Sequence, residues 1–450
     1  MLNPSCGSPL GAGLRAIKAA PYNRAPMPDL AAPAAPAPPR LPDRCDVLVI
    51  GAGPAGSACA HQLAAAGRDV LLVDQHDFPR DKTCGDGLIP DAHAALRRLG
   101  VYDEVAALAQ PVSHVRCVAT RGAFVDVPGT LSVLPRKVLD HVLVRHASRA
   151  GARLVTPVRF EAPLVESGTQ GERVAGARLR IAAGTHELRA NWVVLATGAV
   201  PQALIAAGVC ERHTPSGIAL RGYVKNEAMV GRIAQLQIVW HPRMKGGYGW
   251  IFPAPGGVFN IGAGLTGSHA QTAGGKGRMQ DVNLRRFFEA FCEVYAPARE
   301  LVASGTWQGE LKGAPLRCSL IGARWSRPGL LVTGEAAGST YAFSGEGIGK
   351  AMETGMLAAD ALLAAGGTDG PAADEAVRAR YGSALRAVKP KFDLYETASH
   401  VNHRPWLTDL VVWRANRSPR ILRRMSGVLE ETQNPGRLLS WKGIAKLLFE

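Results

Sequence analysis

Residues 46–56 read DVLVIGAGPAG, a short apolar run that opens onto three glycines. A run of this kind suits a strand buried on both faces of a parallel sheet. Gly51, Gly53 and Gly56 stand at G-x-G-x-x-G spacing, and an Ala-rich stretch to about Ala66 then predicts a helix, with Gly67 placed as its C′ residue. DVLLVD at 69–74 predicts a second buried strand that ends in an acid 18 residues past Gly56. Strand, helix and strand make a complete βαβ unit. Each glycine has a task in such a unit: Gly51 permits the tight turn, Gly53 lets backbone approach a diphosphate, and Gly56 lets helix and strand pack closely. The helix start at Ala55 turns its positive dipole end toward the phosphates, and Asp74 would accept hydrogen bonds from ribose hydroxyls. The alternative for this stretch is a glycine turn without a ligand.

The fingerprint alone does not separate NAD from FAD; a second element does. Residues 329–355 read GLLVTGEAAGSTYAFSGEGIGKAMETG, a strand ending at Gly334-Glu335 followed by glycines that open onto a helix expected from about Gly345 to Ala365. An acid at Glu335 suits the ribityl hydroxyls of a flavin. A helix start at Gly345, Gly347 and Ile348 suits the isoalloxazine ring, where negative charge develops on reduction. A nicotinamide-only dehydrogenase has no use for it. The cofactor expected is therefore FAD.

Composition bounds the rest. A chain of 450 residues exceeds one ordinary core. With 47% hydrophobic and 20% charged residues it reads as a soluble globular protein, without a run of about 18 apolar residues that would span a membrane. The net charge of +15 suits an anionic partner or simply a basic proteome. Eight cysteines, at 6, 45, 59, 84, 117, 210, 292 and 318, form no CxxC pair and no metal spacing, so reduced cytoplasmic thiols and no metal site are expected. DLAAPAAPAPPRLP at 29–42 marks residues 1–43 as a disordered Ala/Pro-rich segment, and Met27 is an alternative start.

Residues 91–109, 135–150 and 280–297 predict helices; 114–128 predicts an antiparallel hairpin, and 216–264 a run of short strands. The expected class is α/β, in part α+β. A discontinuous Rossmann-like FAD-binding domain takes residues 44–110, 131–215 and 316–375. An antiparallel-sheet substrate domain takes 111–130 and 216–315, and a basic helical C-terminal region takes 376–450.

Taken together, GAGPAG at 51–56, KTCGDGL at 82–88, GYGWIFP at 247–253 and GEAAGSTYAFSGEGIGKAMETG at 334–355 resemble the geranylgeranyl reductase family of p-hydroxybenzoate-hydroxylase-like flavoproteins. The likeness covers about 44–450, including the ending NPGRLLSWKGIAKLLF. It implies tightly bound, non-covalent FAD and reduction of carbon–carbon double bonds in a polyprenyl (geranylgeranyl-type) chain of an isoprenoid or lipid substrate. Two departures stand out. Glu335 replaces the usual Asp. LATGAVPQALIAAG at 195–208 lacks the usual Asp-Gly pair, which leaves NAD(P)H or ferredoxin as electron donor.

An isolated alkene is unpolarised, so its reduction needs hydride on one carbon and a proton on the other. Cys84 resembles the family's cysteine beside the flavin and is the first candidate proton donor or flavin-tuning group, with plain packing as the alternative. Gly85, beside it, lets backbone approach the ring. Tyr248 is the second candidate donor. Tyr248, Trp250 and Phe252 alternate on one strand face and are expected to wall an isoprenoid channel. Arg136 matches an arginine that touches FAD phosphates or ribityl groups in relatives. Arg414, Arg417, Arg420, Arg423 and Arg424 beside Trp413 suit peripheral contact with the inner membrane surface, or else an exposed face of a packed cap. No nucleic-acid motif appears. The rival functions are a flavin monooxygenase or halogenase of the same superfamily and a non-catalytic prenyl-binding protein. The letters Tyr-Gly-Trp-Ile-Phe-Pro at 248–253 differ from the Trp-x-Trp-x-Ile-Pro typical of halogenases.

Overall fold

The structure, a computed structural model, describes residues 41–168, 171–266, 283–365 and 371–433. The Ala/Pro-rich stretch up to residue 40 and the ending from 434 lie outside the described residues.

The strand expected at 46–50 runs Arg44–Ile50 and sits inside an eight-stranded sheet. It pairs in parallel with Val70–Val73 on one side and Gly184–Leu195 on the other. Arg153–Val155 and Leu330–Val332 extend the parallel core outward. Its apolar character follows from burial on both faces. Val47 and Val49 join the core under the helices Pro54–Ala65, Arg136–Arg149 and Ile348–Leu363, while Leu48 and Ile50 join a second core on the opposite face. Burying each such side chain contributes about 1.5–3 kcal/mol. A feature not expected from the sequence covers that second face: the strands Arg159–Gly168 and Gly171–Ile181 fold back antiparallel onto Gly184–Leu195.

The second sheet has nine strands. Its centre is Gly217–Lys225, Val258–Thr266 and Gly247–Ala254, all antiparallel. The expected hairpin is Gln110–Val118 with Phe124–Val133. The sheet is not wholly antiparallel: Leu236–Val239 pairs in parallel with Gln110–Val118, because the two arrive from distant parts of the chain. It also recruits Gly87–Leu88 and Lys312–Leu316, which the sequence reading placed in the other layer or at its border.

Two expected helices are each divided. Residues 91–109 form Pro90–Arg98 and Tyr102–Leu108, split at Gly100, whose φ of 73° a side chain would disfavour. Residues 280–297 give Leu284–Val294 and Ala296–Ser304, with Pro297 in the first turn of the second.

The C-terminal region is not one unit. Helix Pro371–Ala398 buries Tyr381, Leu385 and Phe392 in the core of the first sheet, so a boundary at 375 cuts inside a helix. The helices Trp406–Ala415 and Pro419–Leu429 instead pack Val412, Ala415 and Ile421 on Val125 and Val127 of the hairpin. None of the described helices is long and apolar enough to cross a membrane.

Candidate active site

One cavity of about 1220 Å³ runs between the two sheets. Gly51, Gly53, Asp74 and Arg136 line it at one end, and Cys84, Gly85, Tyr248, Trp250 and Phe252 further along. Glu335, Gly345, Gly347 and Ile348 line it too.

The three glycines of the first turn are required for different reasons. Gly51 has φ 102°, and a Cβ there would lie 2.3 Å from the Ala196 carbonyl oxygen. A Cβ on Gly56 would lie 1.8 Å from the Gly51 carbonyl oxygen. Both are demanded by the fold itself. A Cβ on Gly53 meets only guanidinium nitrogens, of Arg80 at 3.5 Å and Arg136 at 3.9 Å. Within the protein Gly53 has room for a methyl group; what its bareness leaves free is the cavity. Gly53 caps helix Pro54–Ala65 with no side-chain hydrogen bond, so the helix N-terminus opens on that space. Ala55 lines the cavity there, and Gly56 does not.

Two arginines flank this turn. Arg136 donates from Nε and a terminal nitrogen to both oxygens of Asp140, at 2.6 and 2.8 Å. Arg80 stands 3.2 Å from Asp140 Oδ2. Asp140 is fully buried. Burial opposes the Arg136 charge, but the Asp140 carboxylate more than offsets it and holds the guanidinium ionised. Asp74 accepts the Ala52 N–H at 2.9 Å and the His76 N–H at 3.0 Å, which fixes its carboxylate at the cavity edge. Arg80 Nε and Thr197 Oγ1 are buried with no partner in the protein, and both residues line the cavity. An open glycine, an uncapped helix end, two guanidiniums and unpartnered polar atoms together fit the diphosphate and ribose of a dinucleotide.

KTCGDGL forms the wall between the sheets. Asp86, which the sequence reading passed over, is its anchor. It has φ 66° and is fully buried. Its carboxylate accepts from the Tyr223 hydroxyl, from Asn260 Nδ2 at 2.7 Å and from the Arg136 N–H at 3.2 Å. Burial pushes Asp86 up to about 6, and those donors keep it from rising further. Asn260 also donates to the Cys84 carbonyl at 2.8 Å and accepts from Trp250 Nε1 at 2.9 Å. The Cys84 loop is thereby tied to the aromatic strand. A Cβ on Gly85 would lie 3.1 Å from Phe252 Cε2, so a bare backbone lies against that ring. The Cys84 side chain lies near the Arg136 guanidinium and packs partly against the core around Leu88 and Met352.

Tyr248, Trp250 and Phe252 follow one another along strand Gly247–Ala254, with successive ring centroids 6.3 and 6.4 Å apart. The Tyr248 hydroxyl donates to the Ser344 carbonyl, and burial pushes the phenol up. A Cβ on Gly345 would lie 2.8 Å from that hydroxyl, so this glycine is bare because the tyrosine reaches over it. Gly347 has Thr340 Oγ1 in the same relation at 2.7 Å. Glu335 lines the cavity and accepts from Thr340 Oγ1 at 3.4 Å. Gly334 does not line it. A Cβ there would lie 2.5 Å from Ala55 Cβ, so Gly334 serves helix packing and not the cavity.

Beyond the aromatic strand the lining turns apolar. Val115, Val127, Leu236 and Ile238 come from the second sheet, and Val412 and Leu429 from the last two helices. Of the five arginines singled out in this region, Arg414 and Arg424 are half-buried. Arg417, Arg420 and Arg423 are exposed, and Trp413 is 43% exposed with the Arg417 guanidinium 4.9 Å from its ring centroid.

The fold and this cavity define an FAD-dependent oxidoreductase. The profile of the FAD-binding-domain family matches residues 44–241. The chain is 31% identical over 348 residues to menaquinone reductase of Mycolicibacterium smegmatis, covering 72% of this chain and 78% of that one. It is 28% identical over 337 residues to digeranylgeranylglycerophospholipid reductase of Methanosarcina mazei, covering 72% and 76%. The protein belongs to the geranylgeranyl reductase family of the p-hydroxybenzoate-hydroxylase-like flavoproteins, and its cofactor is FAD. The same fold is seen in a geranylgeranyl bacteriochlorophyll reductase-like protein of Thermoplasma acidophilum, with TM-score 0.63, 20% identity and coverage of 91% and 96%. A flavin-dependent brominase shares it at TM-score 0.67 and 18% identity, covering 90% and 98%.

Proposed function

We propose that this protein reduces carbon–carbon double bonds of a polyprenyl chain carried on a lipid or quinone. The observation that carries the reading is the single cavity, which joins the glycine turn and its two guanidiniums to an apolar, aromatic-walled extension. Prenyl chains are common to the substrates for which the two relatives are named, menaquinone and a digeranylgeranyl glycerophospholipid.

Bound FAD, once reduced, supplies hydride. The chain's own residues do the rest. Gly53, Ala55, Arg80 and Arg136 would hold the diphosphate, Asp74 the ribose, and Glu335 the ribityl hydroxyls. The loop Gly345–Gly347, the helix start at Ile348 and the Cys84–Gly85 backbone would hold the ring. Cys84, beside Arg136, tunes the electrostatics of that face. Trp250 and Phe252 hold the prenyl chain, and the apolar extension excludes water. The exposed arginines and Trp413 rest against an anionic lipid surface, from which the chain enters. NAD(P)H or a ferredoxin reloads the cofactor.

The test follows flavin absorbance. Photoreduced protein, kept free of oxygen, should be reoxidised by a prenyl lipid. If none reoxidises it while oxygen does so with hydroxylation of an added aromatic, the reading gives way to a monooxygenase.

A further inference from the structure

Glu346 lies between the two glycines that frame the ring-facing loop, and the sequence reading did not single it out. It lines the cavity with Tyr248 and Thr340. It is half-buried.

It belongs to a cluster of titratable groups from several elements, of which Asp91, Glu431 and Lys350 act on it directly. Asp91 belongs to helix Pro90–Arg98, Lys350 and Glu353 to helix Ile348–Leu363, and Glu431 follows helix Pro419–Leu429. Lys391 and Tyr395 come from helix Pro371–Ala398, and Tyr248 from the aromatic strand. The Lys350 ammonium, 4% exposed, is 2.7 Å from Glu431, 2.8 Å from Glu353 and 3.8 Å from Asp91. Lys391 stands 3.1 Å from Glu431. Among the described residues no cation lies within ion-pair distance of Glu346 itself. Four carboxyls thus share two ammoniums. With all four ionised the cluster would hold uncompensated negative charge out of water, and retaining a proton relieves that cost. Burial first, then Asp91 and Glu431, push Glu346 well above the usual carboxyl range. Tyr248, already donating to Ser344 and pushed up by burial, is the weaker acid at this wall.

We propose that Glu346 is the acid of the reduction, a carboxyl held protonated at the cavity wall that gives the alkene its proton. This rests on the prenyl-reductase reading. One alkene carbon receives hydride and its electron pair from the reduced cofactor, which is thereby oxidised. At the other carbon a C–H bond forms as the Glu346 O–H bond breaks. The alkene's π electrons make that second C–H bond, the product has gained two hydrogens, and the carboxylate regains its proton from solvent.

Glu346→Gln keeps the shape and removes the acid. Photoreduced, oxygen-free holoenzyme is mixed with geranylgeranyl diphosphate or a digeranylgeranyl glycerophospholipid, neither of which carries a quinone ring that could reoxidise the flavin directly. The variant should keep its flavin content and be reoxidised more slowly, on the order of a hundredfold. The wild-type rate should fall as pH rises through the Glu346 titration, and the variant's should not. Independently of turnover, the infrared spectrum of flavin-free wild type should show a protonated-carboxyl carbonyl band that the variant lacks. Equal rates in variant and wild type, or no such band in the wild type, overturn the proposal alone. A wild type that neither lipid reoxidises overturns the substrate reading and the acid's role with it. Should the variant not fold, the wild-type pH profile and infrared band decide, and a pH-independent rate counts against Glu346.

Discussion

Arg136 grips both oxygens of Asp140 one helical turn further on, and Arg80 leans on the same carboxylate from another loop at 3.2 Å. One fully buried acid therefore steadies two guanidiniums that point over the bare Gly53. Asp140→Asn leaves two buried cations short of a counter-charge, a change that costs about 3–5 kcal/mol in comparable buried pairs. If those cations face the cofactor's diphosphate, bound FAD replaces part of the lost charge. Urea unfolding should then show a larger loss in flavin-free than in flavin-saturated protein. An equal loss in both states would remove the diphosphate from this corner of the cavity.

Gly53 and Gly56 look alike in the motif and should behave oppositely. Gly53→Val adds carbons toward the cavity, where the nearest protein atoms are guanidinium nitrogens at 3.5 and 3.9 Å. The variant should fold and emerge colourless. Gly56→Ala puts a methyl group 1.8 Å from a backbone oxygen and should lower the melting temperature of flavin-free protein by several degrees. Circular dichroism melts and flavin absorbance on both variants check this. A yellow Gly53→Val protein would contradict the placement of the diphosphate.

Asp86 makes stability depend on pH in an unusual direction. Its folded pKa is raised, to about 6, so between its unfolded value near 4 and that value the folded state binds the extra proton. Stability from this group is fully present below the unfolded pKa and is lost as pH rises through about 6. A shift of about two units corresponds to roughly 3 kcal/mol. Asp86→Asn cannot titrate. Whatever fixed cost its amide brings, the variant should gain on the wild type by about that amount between pH 4 and pH 7, read from urea midpoints. A difference that does not change with pH would show that Asp86 is ionised throughout.

The exposed face of the last two helices should bind anionic vesicles in a salt-dependent way. Replacing Arg417, Arg420 and Arg423 by Gln removes about 1 kcal/mol per charge, hence roughly a hundredfold in vesicle affinity. Turnover of detergent-dispersed lipid should be untouched. Sedimentation with vesicles of anionic phospholipid measures it. Binding that is insensitive to both salt and the substitutions would assign those arginines to a solvated surface.

The first sheet was legible because its strand and turn carry their reasons locally. Val47 and Leu48 go to opposite buried faces, so every position of the strand is apolar, and Gly56 is forced by the Gly51 carbonyl five residues back. The aromatic strand was legible from its alternation. Asp86, Asn260, Tyr223, Arg80 and Asp140 were not. They meet only in the tertiary fold, from strands, loops and a helix far apart in the chain, and Asp86 finds Asn260 174 residues away. One local sign was present, an acid between two glycines, and its φ of 66° is what such a setting allows. The hairpin over 159–181 escaped because its register shifts twice at irregularities, which blurs the period-two pattern. That Val412 and Leu429 close the apolar end could not be read from helices whose most conspicuous residues are arginines.

The most direct test is the mass of a prenyl lipid recovered from one anaerobic turnover with photoreduced holoenzyme. The expected product is heavier by two hydrogens for each bond reduced, formed in step with the return of oxidised flavin absorbance. An unchanged lipid beside a flavin that stays reduced would contradict the shared cavity as a place where cofactor and prenyl chain meet.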